Sequence, residues 1–162
     1  MAIYSVSKPP FLVTDDHSRI DFEVVHGFLS QTYWAPNIPR ETMQRAMDGA
    51  LCFALLKDGR QIGFARAITD RATFAYLADV FVLEAEQGQG AGTFFMGAVF
   101  AHPDLQGLRR FMLATRDAHN LYRKFGFAEP KRPEMLMEIV KSPTDLYAQE
   151  NRSEIDKETS KK

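Results

Sequence analysis

The sequence predicts a mixed α/β domain: a central, mostly antiparallel twisted sheet with helices on both faces. Three observations predict it. Three apolar stretches, 51–57, 61–68 and 73–83, are divided by tight-turn residues and read as consecutive antiparallel strands. A glycine-rich turn then opens an apolar helix. Beyond it, strand and helix patterns alternate to about residue 140.

Phe11-Leu12-Val13 reads as a short first strand after Pro9-Pro10. From about Ser18 to Gln31, Ile20, Val24, Phe28 and Leu29 recur near helical spacing. Tyr33-Trp34-Ala35-Pro36 breaks that pattern, and Pro39 suits the first turn of a second helix running to about Asp48. Asp58-Gly59 marks a two-residue hairpin between the first two strands of the sheet block. Asp70-Arg71 makes the next turn. The strand after it is apolar on both faces, with Phe74, Tyr76, Val80 and Val82 on one and Leu77 and Phe81 on the other, so it belongs inside the sheet. A helix over 90–101 stops at His102-Pro103. Residues 110–114 read as a strand, 117–125 as a helix ended by Gly126, and 135–140 as a last strand. We expect one domain over 1–141, with 142–162 a charged and loosely ordered tail.

Composition limits the function. The chain has 162 residues, 45% of them hydrophobic and 13 of them Phe, enough for one substantial core. Twenty basic residues against 21 acidic give a net charge of −1, which disfavours nucleic acid as a partner. The single cysteine, Cys52, lies in an apolar strand and reads as a small core residue. It leaves no intrachain disulfide and fits a reducing compartment. No apolar stretch approaches 18 residues, and the first residues show no signal-peptide pattern. The expectation is a cytoplasmic protein without a membrane partner, monomeric or homodimeric.

The segment from Val82 to Thr93 carries the most chemistry. Gly88, Gly90 and Gly92 alternate directly before a helix. Lacking Cβ, they let backbone N–H groups come close to a ligand. The first N–H groups of that helix lack intrahelical partners and sit at its positive end. Together they make a phosphate cradle. A Walker loop is excluded, because no Lys lies between 58 and 123; the dinucleotide fingerprint lacks its third small residue, since Thr93 stands there.

What remains is Gln87-x-x-Gly90-x-Gly92 after a strand ending in Val82-Leu83. This resembles the acetyl-coenzyme A loop of the GNAT superfamily of N-acetyltransferases. A second stretch resembles that family's other signature: Thr115, Ala118, Leu121-Tyr122 and Gly126-Phe127. Gln87 stands where Arg is frequent, and Thr115 where Asn is frequent.

The resemblance implies acetyl-CoA as co-substrate and no metal. It implies that Gln87, Gly88, Gln89, Gly90, Ala91, Gly92 and Thr93 hold the pyrophosphate. It also implies that Phe81, Val82 and Leu83 line the pantetheine arm with their backbone, with Thr115 and Ala118 nearby. The strands at 73–83 and 110–114 are expected to splay apart and form the slot. An N–H near Val82 would polarise the thioester carbonyl. Tyr122, one turn after Ala118, is the expected general acid for the leaving sulfur; the alternative is a core tyrosine satisfied by backbone.

Asp79 is the candidate base, because a carboxylate within an apolar strand is anomalous and burial disfavours its charged form. The alternative is a carboxylate that holds the sheet by hydrogen bonds. His119 is a rival base, and Asp117 reads better as a helix cap. Tyr33 and Trp34 are candidates for the acceptor rim, or for capping the core edge. The expected reaction is acetylation of a small-molecule primary amine by direct attack in a ternary complex. A protein or peptide amine is the second possibility. A non-catalytic acyl-CoA-binding domain and a nucleotide-phosphate module are the alternatives from other classes. The histidines at 17, 26, 102 and 119 show no paired ligand spacing.

Overall fold

The computed structural model describes residues 2–161. They divide into two compact units, Met1–Asp21 with Gly49–Ala128, and Phe22–Asp48 with Glu129–Lys162.

The first unit holds a six-stranded sheet in sequence order: β1 (Ser5–Lys8), β2 (Phe11–Thr14), β3 (Leu51–Lys57), β4 (Arg60–Thr69), β5 (Phe74–Val82) and β6 (Arg110–Leu113). All neighbours are antiparallel except β5 and β6, which are parallel. The parallel pair needs a crossover, and α3 (Ala91–Phe100) supplies it. Asp58 and Gly59 close the β3–β4 hairpin with φ of 49° and 79°, the double positive φ that a two-residue turn matching strand twist requires. Asp70 organises the β4–β5 turn. Its carboxylate accepts the N–H groups of Ala72, Thr73 and Phe74 and the Thr73 hydroxyl.

The core of this unit joins the sheet to α3. Val13, Phe53, Leu55, Ala65 and Leu77 meet Phe95, Met96 and Val99. Cys52 is buried, as its apolar context implied. A polar cluster ties the first hairpin to the end of α3. Tyr4 donates its hydroxyl to the Ala98 carbonyl at 2.8 Å and its N–H to Asp15 Oδ1 at 2.7 Å. His102 Nδ1 accepts the Asp104 N–H, so its Nε2 carries the proton donated to Asp15 Oδ2 at 3.1 Å.

Two bulges break the pleat. Between Phe64 and Arg66 the chain takes two steps on β4, while β5 takes three, from Phe81 to Ala78. The extra residue lies where Asp79 takes φ of 56°, the left-handed region that an Asp reaches more readily than most residues. Period-2 alternation resets there. Ala75 and Leu77 share the core cluster with Val80 and Val82, while Phe81 turns to the opposite face and packs on Phe64 at 6.2 Å. The expected partition, with Leu77 and Phe81 together, is therefore corrected. Strict alternation holds only along an unbulged strand.

The second unit contains α1 (Phe22–Leu29), α2 (Arg40–Asp48) and α5 (Pro143–Thr159). Val25, Leu29, Met43 and Met47 are its buried apolar residues on α1 and α2. Arg40 grips Glu23 with both terminal guanidinium nitrogens and lies over the Phe22 ring at 4.9 Å.

Several elements differ from expectation. Ser5–Lys8 is a strand that the sequence reading missed, because its residues are mostly polar and exposed. The helix expected from Ser18 begins at Phe22, after a 3-10 turn at His17–Arg19 capped by Asp16. Residues 136–140 belong to no strand of the sheet. The tail, read as a loose helix or a disordered segment, forms α5, where Ser142 accepts the Asp145 N–H at the start. Thr42 donates to Glu150 at 2.9 Å, and Asn151 donates to the Asn37 carbonyl at 3.0 Å.

The β3–β4–β5 junction is tight enough to exclude one methyl group. A Cβ on Gly63 would stand 2.8 Å from the Phe81 carbonyl oxygen and 3.1 Å from Leu55 Cβ. Gly63→Ala is expected to cost about 1–3 kcal/mol in urea unfolding, as overpacking of a filled site does. A loss below about 0.5 kcal/mol, the range of neutral surface changes, would show that the junction has slack.

Candidate active site

The β5–β6 ladder is short. It runs from Phe74↔Arg110 to Leu77↔Leu113 and stops at the bulge. β5 continues to Val82 with β4 on one side and no strand partner on the other. β6 ends at Leu113, opposite Leu77, so β5 runs on beyond it from the bulge to Val82. Leu83 donates its N–H to the Ile62 carbonyl at 2.7 Å. Peptide groups alternate in direction along a strand, so those of Val82 face the parted side.

The glycine turn follows directly. Gly88 and Gly90 have φ of 81° and 76°, and Gly90 is the N-cap of α3. The first intrahelical bond runs from the Phe94 N–H to the Gly90 carbonyl at 3.1 Å. The N–H groups of Ala91, Gly92 and Thr93 precede it at the positive end of the helix. A Cβ at Gly88, Gly90 or Gly92 would meet no protein atom within 4 Å. The space is open on the side a ligand would enter, which suits a pyrophosphate. Gly92 differs from the other two. It lies inside α3 outside the positive-φ region, so its missing Cβ serves approach alone.

The loop is held by charge. Glu86, only 8% exposed, takes Lys57 Nζ at 2.8 Å and an Arg60 guanidinium nitrogen at 2.9 Å. Lys57 also donates to Gln89 at 3.1 Å. Lys57 and Arg60 flank the Asp58–Gly59 turn, so the β3–β4 hairpin grips the loop across the sheet. The Lys57 hydrogen bond, with the charges of Lys57 and Arg60, keeps the Glu86 carboxyl below its ordinary range. Gln87 donates from its side chain to the Val82 carbonyl at 2.9 Å. That bond fixes the strand end to the loop and occupies one of the groups expected for the pantetheine arm. The Leu83 N–H is occupied likewise. Sequence reasoning missed Lys57, Arg60 and Glu86, because residues so distant in the chain carry no shared motif.

The second signature forms a turn and a short helix, α4 (His119–Arg123). The Thr115 hydroxyl accepts the Ala118 N–H at 3.0 Å in the turn before α4, whose N-cap, Ala118, receives no side-chain cap; Asp117 is exposed. Asp117 precedes the true N-cap, Ala118, by one residue and so misses the cap position. Gly126, at φ of 92°, ends the segment as expected. Tyr122 is 8% exposed, in the same core cluster as α3, with Phe127 edge-on at 6.0 Å. Among the described residues its hydroxyl has no hydrogen-bond partner, yet no buried side-chain oxygen or nitrogen is unsatisfied, so the hydroxyl reaches open space. Burial pushes the Tyr122 phenol up to about 12. It keeps its proton at neutral pH. His119 is exposed at the first position of α4.

Asp79 sits at the bulge, facing Arg66. Arg66 Nε meets Asp79 Oδ2 at 2.8 Å, with side chains 15% and 10% exposed. The carboxylate that looked anomalous in an apolar strand has a guanidinium partner from β4. Tyr33 and Trp34 lie in the second unit, 56% and 38% exposed, with rings edge-on at 5.0 Å. Among the described residues no group of three or more His, Cys, Asp or Glu could hold a metal ion, and no helix is long and apolar enough to cross a membrane.

Residues 15–127 match the acetyltransferase (GNAT) family, and the chain belongs to that family. A Gibberella zeae protein carrying an acetyltransferase name is 30% identical over 141 residues, covering 73% of this chain and 78% of that one. A GNAT-family structure from Xanthomonas campestris pv. campestris is 52% identical, with a TM-score of 0.81 over 85% of this chain and 97% of its own. A Staphylococcus aureus structure is 26% identical, with a TM-score of 0.64 over 81% and 98%. The protein is an acyltransferase of a family that uses acetyl-CoA.

Gly92→Val tests the cradle, because a Cβ there has open space around it and the position has no positive φ to strain. The variant is expected to fold normally and to weaken acetyl-CoA binding by roughly tenfold or more, about 1.4 kcal/mol, in isothermal titration. Wild-type affinity in the folded variant would remove the glycines from the binding site.

Proposed function

We propose that the protein transfers the acetyl group of acetyl-CoA to a primary amine by direct attack in a ternary complex, with a small molecule as acceptor. The observation that carries this reading is the run of β5 past Leu77 without β6, leading straight into the open glycine turn. A pantetheine arm fits beside such a strand as an added strand would, with the pyrophosphate at the start of α3. Phe81, Val82 and Leu83 line the arm, and Gln87, Gly88, Gln89, Gly90, Ala91, Gly92 and Thr93 surround the phosphates. Gln87 keeps the strand end and the cradle in one register through Val82. Thr115 and Ala118 belong to the turn that presents Tyr122, where the Thr115 hydroxyl accepts the Ala118 N–H.

In the reaction the amine nitrogen bonds to the thioester carbon and the carbon–sulfur bond breaks. The departing sulfur takes the Tyr122 hydroxyl proton, the amine gives up a proton to water or base, and the Tyr122 phenolate regains a proton from water before the next turnover. Tyr122 suits the acid role because its ring is fixed in the core, its proton is retained and its hydroxyl is unclaimed. A tyrosine that serves packing alone would bond its hydroxyl to backbone. The same hydroxyl weighs against a non-catalytic binding domain, which needs no acid.

Asp79 is best read as a positioning residue. Its ion pair with Arg66 braces the bulge that parts the strands and aims the peptide groups beyond it. Backbone N–H groups so aimed can polarise the thioester carbonyl. Tyr33 and Trp34 are exposed aromatics of a kind suited to an alkylammonium group, and a peptide amine is the second acceptor class.

Tyr122→Phe is expected to lower kcat by about tenfold to a thousandfold, the scale of acid–base contributions, at wild-type KM for acetyl-CoA. The measurement is free-thiol release over an amine panel. Equal losses of stability and rate would return Tyr122 to the core. For Asp79→Asn the expected result is a lower melting temperature with an unchanged acidic limb of the pH–rate profile. The double variant Arg66→Met with Asp79→Asn recovers part of the stability, because no charge is left unpaired. A stable Asp79→Asn enzyme with a flattened acidic limb would instead make Asp79 the base.

A further inference from the structure

The donor loop carries no charge of its own. Residues 87–93, Gln-Gly-Gln-Gly-Ala-Gly-Thr, can meet a pyrophosphate only with dipoles. Backbone N–H groups hold an anion when they converge on it. Among the described residues, the N–H groups of Gly88 and Gly90 reach no partner within hydrogen-bond geometry. Both residues are glycines at positive φ, free to turn.

The main chain is held on either side of this stretch. The Glu86 N–H bonds the Leu83 carbonyl at 2.8 Å and the Gln87 N–H bonds the Glu84 carbonyl at 3.2 Å. Beyond the stretch, the Phe94 N–H bonds the Gly90 carbonyl. Between these points the side-chain tie is Gln89, which accepts from Lys57 Nζ at 3.1 Å. The same Nζ donates to Glu86 Oε2 at 2.8 Å, and Arg60 donates to the other carboxylate oxygen at 2.9 Å. The two contacts differ in shielding. The Lys57 and Glu86 side chains are 26% and 11% exposed, whereas Arg60 is 72% exposed. The Arg60 contact is therefore weak, and Lys57 is the partner that matters. A lysine stem loses much rotamer freedom when it is held. Glu86 meets that cost before any ligand arrives, and Lys57 stands ready to fix Gln89.

We propose that Glu86 is a positioning residue for the donor. It acts through Lys57 and Gln89, which keep the loop between Gln87 and Gly90 in the one arrangement that takes the pyrophosphate. The inference rests on the acetyl-CoA reading of that loop. It carries a sign that charge alone would reverse. A carboxylate beside an anion site repels the anion, so by Coulomb's law its removal tightens binding. A positioning carboxylate does the opposite, and its removal loosens binding.

The test is isothermal titration of the full chain with acetyl-CoA. Glu86→Gln is expected to weaken binding by about tenfold, the scale of ordering one or two further loop residues. Gln89→Ala cuts the last link at an exposed side chain and leaves the buried carboxylate paired. It is expected to keep the wild-type melting temperature and to weaken binding by about threefold, the scale of a single exposed contact. The double variant is expected to bind no more weakly than Glu86→Gln, because both changes cut one tether. S-acetyl-pantetheine lacks the phosphates, so its turnover by Glu86→Gln, read as free thiol with one fixed amine, is expected at the wild-type rate. Unchanged or tighter acetyl-CoA binding by Glu86→Gln overturns the proposal. Wild-type affinity in Gln89→Ala overturns it as well, and so does an equal loss on both donors, which marks a general loss of fold. A wild type that does not bind acetyl-CoA overturns the reading of the loop itself, a result visible before any variant is made.

Discussion

One inserted residue in β5 governs the site. At Asp79 the strand takes an extra step, and three consequences follow from it. The faces of the strand exchange, so Val80 and Val82 join the core that Ala75 and Leu77 began. The ladder to β6 ends at Leu77, so the strands part. The peptide groups beyond the bulge are left facing the gap. A left-handed φ at a non-glycine residue persists only where its surroundings hold it, and here the Arg66–Asp79 ion pair does so. Burying such a pair brings little net stability by itself; its value lies in fixing the geometry.

The loop beyond β5 is preorganised in a different way. Its glycines make it able to approach a phosphate, but the same freedom costs entropy when the loop is ordered. The Lys57–Glu86–Arg60 cluster offsets part of that cost by anchoring the loop to a rigid hairpin before any ligand arrives. Tyr122 follows the same design. Core packing holds its ring, so the hydroxyl is available without reorganisation.

The reading of the chain from its residues succeeded where the signal was local. Asp58-Gly59, the glycine run and Gly126 each demand a particular backbone, and the structure places positive φ at Asp58, Gly59, Gly88, Gly90 and Gly126. Apolar periodicity located β3, β4, β5 and α3 within a residue or two. It failed at β1, whose exposed residues lack alternation, and at 135–140, where strand-like composition finds no strand partner within the sheet.

The sequence by itself determined the fold class, the family and the position of the glycine turn, because these rest on backbone conformations and periodicities encoded by neighbouring residues. Tertiary structure alone decided which face each residue of β5 presents, that Arg66 answers Asp79, and that Lys57 and Arg60 grip Glu86. It also decided that the Tyr122 hydroxyl stays unclaimed. Those facts depend on register and on a single bulge. An insertion of one residue exchanges the two faces of a strand, and nothing in the chain adjacent to Asp79 announces it.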